Sequence, residues 1–359
     1  MKIGLVTLTP NINYGGTLQC FALYSYLKQQ GHSVTLLNIT PELKKTKKII
    51  ISLLENLPFF DIKNIKNIKL QKKFHLNWIE SNIPDKSKEL RTLEDINNII
   101  EQYDFDALIV GSDQVWRWEY INNPIYKAYF LNFKTKKKIK KISYAASFGK
   151  GEWENNNNIL EISSFLSDFK AISVREKSGI KICQKTFNLN MPIFHTLDPT
   201  LLINKSIYNK FIKKIDTPFV LSYILDQNDQ LDDLINEFKN IDIIDIYKNK
   251  KLLSINEWLS LFNNSKYIIT DSFHGMVFSI IFNKNFTVII NEKRGGDRFL
   301  SLLKELGLMD RIIYSATISN KEKLIENIKK PIDYEVINNK LLELKIKSEN
   351  FILSALNDE

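Results

Sequence analysis

The sequence predicts an α/β protein built from two doubly wound halves that face one cleft. Short apolar, β-prone runs alternate with helical patterns between Ile3 and Val174, and the same alternation restarts at Phe219. A chain of 359 residues is long enough for two hydrophobic cores. Glycine and polar residues directly follow several predicted strands, which is where open α/β sheets place ligand-binding side chains. We therefore expect a site in the cleft between the halves.

We place the domain boundaries where this alternation pauses. Residues 1–203 are predicted to form an N-terminal Rossmann-like domain with a helical insertion at 41–84, and residues 217–334 a C-terminal Rossmann-like domain. The linker is placed at 203–217, after the proline turn of Asp198-Pro199, and a terminal helix is predicted at 335–359.

Composition narrows the class of protein. Two cysteines cannot form a disulfide framework, which favours a reducing compartment. The apolar run Ile3–Leu8 is typical of a first strand rather than a secretory signal, and no window reaches the ~18 apolar residues of a spanning helix. The net charge is +9, but the sequence shows no zinc-finger spacing, RNA-binding signature or basic heptad helix. We expect a cytoplasmic protein that does not bind nucleic acid.

The first strand, helix and second strand are predicted at Ile3–Leu8, Leu18–Gln30 and Val34–Ile39. Before the helix lies Asn13-Tyr-Gly-Gly16, where glycine has no side chain and lets the backbone pass close to a ligand. The segment lacks the GxGxxG pattern, so a classical dinucleotide site is not expected. The alternative is a tight turn that needs glycine for its geometry alone.

Polar residues also follow later strands of this half, which are predicted at Asp104–Val110, Ile142–Ser147 and Phe169–Val174. Ser112, Asp113 and Gln114 follow the first of these strands, at the edge where α/β proteins bind ligands. Arg175 follows the last one, and a guanidinium meets a carboxylate or phosphate with two parallel hydrogen bonds. The alternative is that Glu176 simply holds Arg175 in a salt bridge.

The segment Pro41–Pro84 alternates lysine with isoleucine, leucine and phenylalanine, which predicts one or two amphipathic basic helices. Two interpretations stay open. The helices contact a lipid diphosphate or the inner face of the cell membrane peripherally, or they form an insertion with a solvated face.

The second half repeats the pattern. Its predicted strands are Phe219–Leu225, Ile241–Tyr247, Tyr267–Thr270 and Phe286–Ile290, and its predicted helices are Asp229–Asn240, Ser254–Asn263, Met276–Phe282, Arg298–Leu306, Lys321–Lys329 and Ile337–Leu356. Ser254 and Glu257 have the spacing of a capping box. Gly295 and Gly296 lie in the charged loop Asn291–Leu300, which we expect to be flexible.

The stretch Asp271–Gly275 is the main candidate site, because it joins a predicted strand to a buried helix. A helix N-terminus at a sheet edge offers free N–H groups and partial positive charge to an anion. His274 exchanges its proton near neutral pH, which suits a general acid or base. The alternative is that Asp271 and Ser272 cap the helix and His274 is a structural residue.

Six segments of the sequence together resemble the polysaccharide pyruvyl transferases. They are Asn13-Tyr-Gly-Gly-Thr-Leu-Gln19, Gly111-Ser-Asp-Gln114, Ser173-Val-Arg-Glu176, Asp198-Pro199, Asp271-Ser-Phe-His-Gly275, and the pair Arg294 and Arg298. The resemblance implies a GT-B-like pair of domains and transfer of a pyruvyl group from phosphoenolpyruvate (PEP) to two sugar hydroxyls. The products would be phosphate and a cyclic ketal on a bacterial surface polysaccharide or its lipid-linked precursor.

The resemblance also implies roles for single residues, with PEP held by the C-terminal domain and the acceptor by the N-terminal one. His274 would be catalytic. The implied substrate-binding residues are Asn13, Gly15, Gly16, Gln19, Ser112, Asp113, Gln114, Arg175, Ser272, Gly275, Arg294 and Arg298. Some family members carry arginine where this chain has Ser272, so we expect Arg294 or Arg298 to supply that cation from a loop that closes over PEP. No metal or cofactor is expected.

Two other functions fit the same architecture. One is a nucleotide-sugar glycosyltransferase that holds a diphosphate with arginine and lysine and uses His274 as base or phosphate ligand. The other is a sugar- or anion-binding module without turnover. Binding of PEP or of nucleotide sugars separates the two enzymes, and the module predicts binding without phosphate release.

Overall fold

The computed structural model of the protein describes residues 1–10, 12–41, 62–226, 242–247, 252–291, 295–315 and 321–357. Three sequence predictions lie outside this part of the chain. They are the first half of the lysine-rich insertion, the helix expected at Asp229–Asn240, and the position of Arg294.

Six strands of the described N-terminal half pair in one parallel sheet. They are Lys2–Val6 (β1), Ser33–Leu36 (β2), Ala107–Val110 (β3), Lys140–Ala146 (β4), Ala171–Val174 (β5) and Ile193–His195 (β6). Their spatial order is β2-β1-β3-β4-β5-β6. The central strand β3 is buried on both faces, as expected when helices cover both sides of a parallel sheet.

Five strands of the described C-terminal half form a second parallel sheet. They are Phe219–Tyr223 (β7), Asp242–Asp245 (β8), Tyr267–Thr270 (β9), Asn285–Ile290 (β10) and Ile312–Tyr314 (β11). The spatial order is β11-β10-β9-β7-β8, so β9 lies at the centre. The prediction of an α/β protein with two Rossmann-like sheets is confirmed.

The described α-helices surround these sheets. They are Tyr14–Gln29 (α1), Ile62–Asn82 (α2), Leu93–Tyr103 (α3), Trp118–Ile121 (α4), Ile159–Leu166 (α5), Lys177–Lys181 (α6), Lys205–Asn209 (α7), Ile255–Asn264 (α8), Phe273–Ile281 (α9), Asp297–Leu306 (α10), Lys321–Lys329 (α11) and Tyr334–Leu356 (α12). None of them is both long and apolar enough to cross a membrane.

Helix starts follow their capping residues. The capping box forms as the sequence predicts, with Ser254 accepting from the Glu257 N–H and Glu257 accepting from the Ser254 N–H. Helix α1 begins at Tyr14 rather than Leu18, because the Asn13 side chain accepts from the Gly16 N–H. The glycine pair therefore lies in the first helical turn and not in a loop before it.

The two halves are tied together by helices from both. The C-terminal helix α12 packs back on the first half, where Ser348 accepts from the Leu197 N–H at 3.0 Å and Phe351 contacts Tyr144. Helix α2 of the insertion reaches the second half, since Trp78 Nε1 donates to Asn256 Oδ1 at 3.0 Å. The described part of the insertion therefore contacts both halves of the molecule.

The opposite face of α2 is solvated. Lys69, Lys72 and Lys73 are exposed, whereas Trp78 and Ile79 are buried. This matches the interpretation of an insertion with a solvated face, and contact with a membrane or lipid diphosphate stays a prediction.

Candidate active site

The carboxyl ends of both sheets open into one cleft of about 430 Å³ between the halves. The predicted site residues that line it are Asn13, Gly16, Asp113, Gln114, Ser272, His274 and Arg298. Residues distant in sequence meet here because strand ends of parallel sheets share an edge.

The junction between β9 and α9 builds the floor of the cleft. Ser272 is the N-cap of α9, and its Oγ accepts from the Gly275 N–H at 3.3 Å. Gly275 leaves no room for a side chain, because a Cβ there would overlap Thr270 Oγ1. The helix begins at Phe273, so His274 lies in its first turn, where unpaired N–H groups and the helix dipole favour an anion.

His274 is held between the two halves of the molecule. Its Nε2 lies 3.5 Å from Asp198 Oδ2, and the side chain is only 7% exposed. On the other side, a Cβ on Gly15 would overlap the imidazole at Nδ1. The absence of a side chain at Gly15 therefore makes the space that His274 occupies, and the Asp198 carboxylate lies beside the Nε2 of the imidazole.

Asp198 is the buried anion on which the site converges. Its Oδ2 accepts from Arg175 NH1 at 2.7 Å, and its Oδ1 accepts from the Thr200 backbone N–H and hydroxyl at 3.0 and 2.7 Å. Burial alone would raise the pKa of Asp198, but His274, Arg175 and Thr200 together hold that pKa well below its ordinary value. These partners therefore favour the ionised carboxylate.

Arg175 lies behind the cleft wall rather than in it. Its guanidinium is 1% exposed, and NH2 donates to Asp113 Oδ1 at 3.2 Å while NH1 is bound to Asp198. The guanidinium also stacks on the Phe273 ring, with Cζ 4.6 Å from the ring centroid. Both terminal nitrogens of Arg175, which we expected to bind a ligand, therefore donate to protein carboxylates instead.

The alternative partner for Arg175 is wrong, because Glu176 is bound elsewhere. Glu176 Oε1 accepts from the Ser147 hydroxyl and from the backbone N–H groups of Phe148 and Gly149 at 3.0, 2.7 and 3.1 Å. Burial raises the pKa of this carboxyl. Glu176 therefore fixes the turn after β4.

Arg298 is the cation that faces the cleft. Its Cζ lies 5.6 Å from the centroid of the Phe273 ring and 5.9 Å from that of the Phe299 ring. Burial and the neighbouring Arg175 lower the pKa of Arg298 to about 10, so it stays charged at neutral pH. Its buried Nε has no hydrogen-bond partner among the described residues.

Neither local carboxylate neutralises Arg298 in the described part of the chain. Glu305 pairs with Lys177, and no ion pair to Asp297 is formed. Arg298 is therefore not a surface arginine that pairs with a carboxylate of its own helix. Arg294 lies outside the described residues, so its expected contribution stays a prediction.

Two predicted contact residues are buried in the first half. Gln19 donates to Thr7 Oγ1 and to the Gly16 carbonyl, and its Oε1 accepts from the Ser112 N–H at 3.0 Å. Ser112 Oγ donates to the Ala145 carbonyl at 2.8 Å. These two side chains fix the turns that carry Gly16 and Asp113, and they do not line the cleft.

Residues that sequence reasoning left out of the site lie in its centre. Asp198 and Phe273 lie in segments that carry the family resemblance, but the sequence analysis assigned neither of them a role in the site. Tyr247 and Gln71 also line the cleft, from elements that carried no motif. Among the described residues, no group of three or more His, Cys, Asp or Glu side chains is arranged to hold a metal ion.

Comparisons with known proteins agree on fold and family. The model of the family described as polysaccharide pyruvyl transferase matches residues 13–293. A protein from Listeria monocytogenes assigned as a UDP-N-acetylglucosamine 2-epimerase is 10% identical, with a TM-score of 0.55 over 99% of this chain and 95% of that one. The UDP-N-acetylglucosamine 2-epimerase of Rickettsia bellii is 12% identical, with a TM-score of 0.52 and coverage of 99% and 97%.

The UDP-GlcNAc 2-epimerase of Neisseria meningitidis, bound to UDP-GlcNAc, is 13% identical with a TM-score of 0.51 and 99% coverage of both chains. At such identity these structures show the fold alone, and it is GT-B-like, as the sequence predicts. A search of curated protein sequences gives no match. Because the family match spans most of the chain and contains the His274 site, this protein belongs to the polysaccharide pyruvyl transferase family.

Proposed function

We propose that the protein transfers a pyruvyl group from PEP to two hydroxyls of one sugar, in a bacterial surface polysaccharide or its lipid-linked precursor. The observation that carries this proposal is the presence, in one cleft, of an imidazole and of a cation that forms no ion pair with a described carboxylate. His274 is backed by Asp198, and Arg298 is open to a ligand. PEP needs both, since it carries a phosphate, a carboxylate and a carbon that must be protonated.

The N-terminus of α9 and Arg298 would bind the phosphate and carboxylate of PEP. Ser272 adds a hydroxyl and no charge, so Arg298 takes the place of the arginine that some family members carry there. Arg175 acts through Asp198 and Phe273 and is a positioning residue.

His274 would move the protons of the first step. As imidazolium it protonates the methylene carbon of PEP while a sugar hydroxyl attacks the neighbouring carbon. The proton of that hydroxyl passes to His274 and restores the imidazolium, which Asp198 stabilises. A second hydroxyl of the same sugar then attacks the same carbon, the carbon–oxygen bond to phosphate breaks, and phosphate leaves with that hydroxyl's proton.

A nucleotide-sugar glycosyltransferase is the second candidate. A cation beside a helix N-terminus also suits a diphosphate, and structures of the same fold include one bound to UDP-GlcNAc. The two functions differ in their donor, so donor binding and product chemistry separate them.

The test is a phosphate-release assay with PEP and a panel of methyl glycosides, followed by mass spectrometry of the acceptor. We expect phosphate release that depends on the acceptor and on His274, with one ketal formed per phosphate. Phosphate release without ketal, or UDP release from UDP-sugars with no reaction of PEP, would overturn the proposal.

A further inference from the structure

A pair of stacked tyrosines forms part of the cleft that the PEP chemistry does not use. Tyr247 follows β8 and Tyr223 ends β7, and their rings stack with centroids 5.7 Å apart and planes 17° apart. Tyr223 is buried, whereas Tyr247 is 41% exposed. Tyr223 is stacked on one face of the Tyr247 ring, and Tyr247 lines the cleft.

The tyrosine pair lies beside the helix that carries His274. A Cβ on Gly275 would lie 3.1 Å from the Tyr223 ring, so the ring lies directly against the first turn of α9. Trp258 packs edge-on against Tyr223, with centroids 5.5 Å apart. The backbone N–H of Tyr247 donates to Asp245 Oδ1 at 2.9 Å. Such a surface offers contact area with little conformational entropy to lose.

Polar groups border this surface on the side of the insertion. Gln71 of α2 lines the cleft, and its Nε2 donates to the Tyr14 hydroxyl at 3.0 Å. That hydroxyl donates to the Leu253 carbonyl at 2.8 Å, and the Tyr14 ring stacks on Trp258. The Gln71 carboxamide is therefore held in place by residues of both halves of the molecule.

We infer that Tyr247 is the platform on which the acceptor sugar ring lies, with Gln71 beside it as a hydrogen-bonding group. A pyranose has an apolar face of C–H groups and a rim of hydroxyls, which matches an aromatic face bordered by an amide. A ring on Tyr247 would present its rim toward α9, where two hydroxyls must reach PEP. This inference rests on the proposed function, because it names the binding surface for the acceptor of that reaction.

The experiment measures glycoside binding without turnover, so it does not depend on PEP chemistry. Saturation-transfer difference NMR is recorded on the wild type, Tyr247→Leu and Tyr247→Phe. The ligands are methyl glycosides of galactose, glucose, mannose and N-acetylmannosamine and, in a separate sample, UDP. Tyr103→Leu is the matched control, since Tyr103 is another partly buried tyrosine stacked on an aromatic ring, Phe105, but lies outside the cleft. PEP binding is measured calorimetrically on the same samples.

We expect ring C–H signals from at least one glycoside in the wild type, Tyr247→Phe and Tyr103→Leu. In Tyr247→Leu the affinity should fall roughly 10-fold, the upper range for loss of an aromatic contact, with PEP affinity unchanged. Equal glycoside signals in Tyr247→Leu, or no glycoside binding by the wild type, would overturn the inference. Signals from the uracil ring of UDP that are lost in Tyr247→Leu would assign the platform to a base instead. If the protein binds glycosides through Tyr247 but does not bind PEP, the result would contradict the proposed function. It would leave the assignment of Tyr247 as a sugar platform intact.

Discussion

Two arginines lie close to the ring of Phe273, and they differ in what neutralises them. Arg175 is buried and its terminal nitrogens bind Asp113 and Asp198. Arg298 faces the cleft and forms no ion pair with a described carboxylate, whereas the Nε atoms of both arginines lack a hydrogen-bond partner among the described residues. The sequence treats both as anion-binding candidates, but only one has its charge available to a ligand.

This difference indicates that Arg175 and Arg298 have separate roles in the candidate site. A buried guanidinium must be paired, because an isolated charge in the interior costs several kcal/mol. Arg175 therefore organises the site through Asp198, which in turn faces His274. Arg298 is kept charged near another cation, and burial and Arg175 lower its pKa to about 10. An anionic ligand would relieve that repulsion.

The largest expected effect is on stability, from Arg175→Met. The variant leaves Asp113 and Asp198 buried without their cation, and breaking a buried pair costs about 3–5 kcal/mol. Urea unfolding should show that loss. Arg298→Met should lower stability less than Arg175→Met does, because Arg298 forms no direct ion pair and is stabilised only from a distance by Glu176 and Asp113. Equal losses in the two variants would remove the distinction between these arginines.

The second expected effect is on the rate of ketal formation and not on stability. His274→Gln should lower kcat by about 10²–10⁴-fold, the usual contribution of general acid–base catalysis, while the melting temperature stays near that of the wild type. Steady-state ketal formation and thermal unfolding measure the two quantities. Turnover near the wild-type rate would leave His274 a structural role.

A smaller effect on the rate is expected at the contact between Gly15 of the first half and His274 of the second. Gly15→Ala places a Cβ where the His274 imidazole lies, so the ring must move, and a displaced catalytic group can cost about 10² in rate. Gly151→Ala is the control at a glycine outside this cleft, since its Cβ would meet Asp297 Oδ2 at an ordinary 3.4 Å. Equal activity of the two alanine variants would show that Gly15 does not position His274.

Local patterns predicted much of this molecule. The alternation of strands and helices was enough for the fold class, and the spacing of Ser254 and Glu257 located the start of α8. The strand-to-helix junction at Ser272 was enough to place His274 at the cleft. Each of these features depends on residues within a few positions of one another.

Pairings between distant residues could not be predicted in the same way. Arg175 has an acidic neighbour in sequence, Glu176, yet it binds carboxylates 23 and 62 residues away. Glu176 is instead used by backbone N–H groups after β4. The return of α12 to the first half also left no local signal, because Ser348 and Phe351 look like ordinary helix residues until Leu197 and Tyr144 are placed beside them.

The central claim is that Arg298 supplies the cation for PEP. Isothermal titration calorimetry with PEP on the wild type, Arg298→Ala and Arg91→Ala tests it most directly, since Arg91 is an exposed arginine paired with Glu89 on the surface. We predict that Arg298→Ala weakens PEP binding about 10- to 150-fold, the equivalent of one charged hydrogen bond of about 1.5–3 kcal/mol, and that Arg91→Ala binds as the wild type does. Undiminished PEP affinity in Arg298→Ala, or no PEP binding by the wild type, would contradict the account.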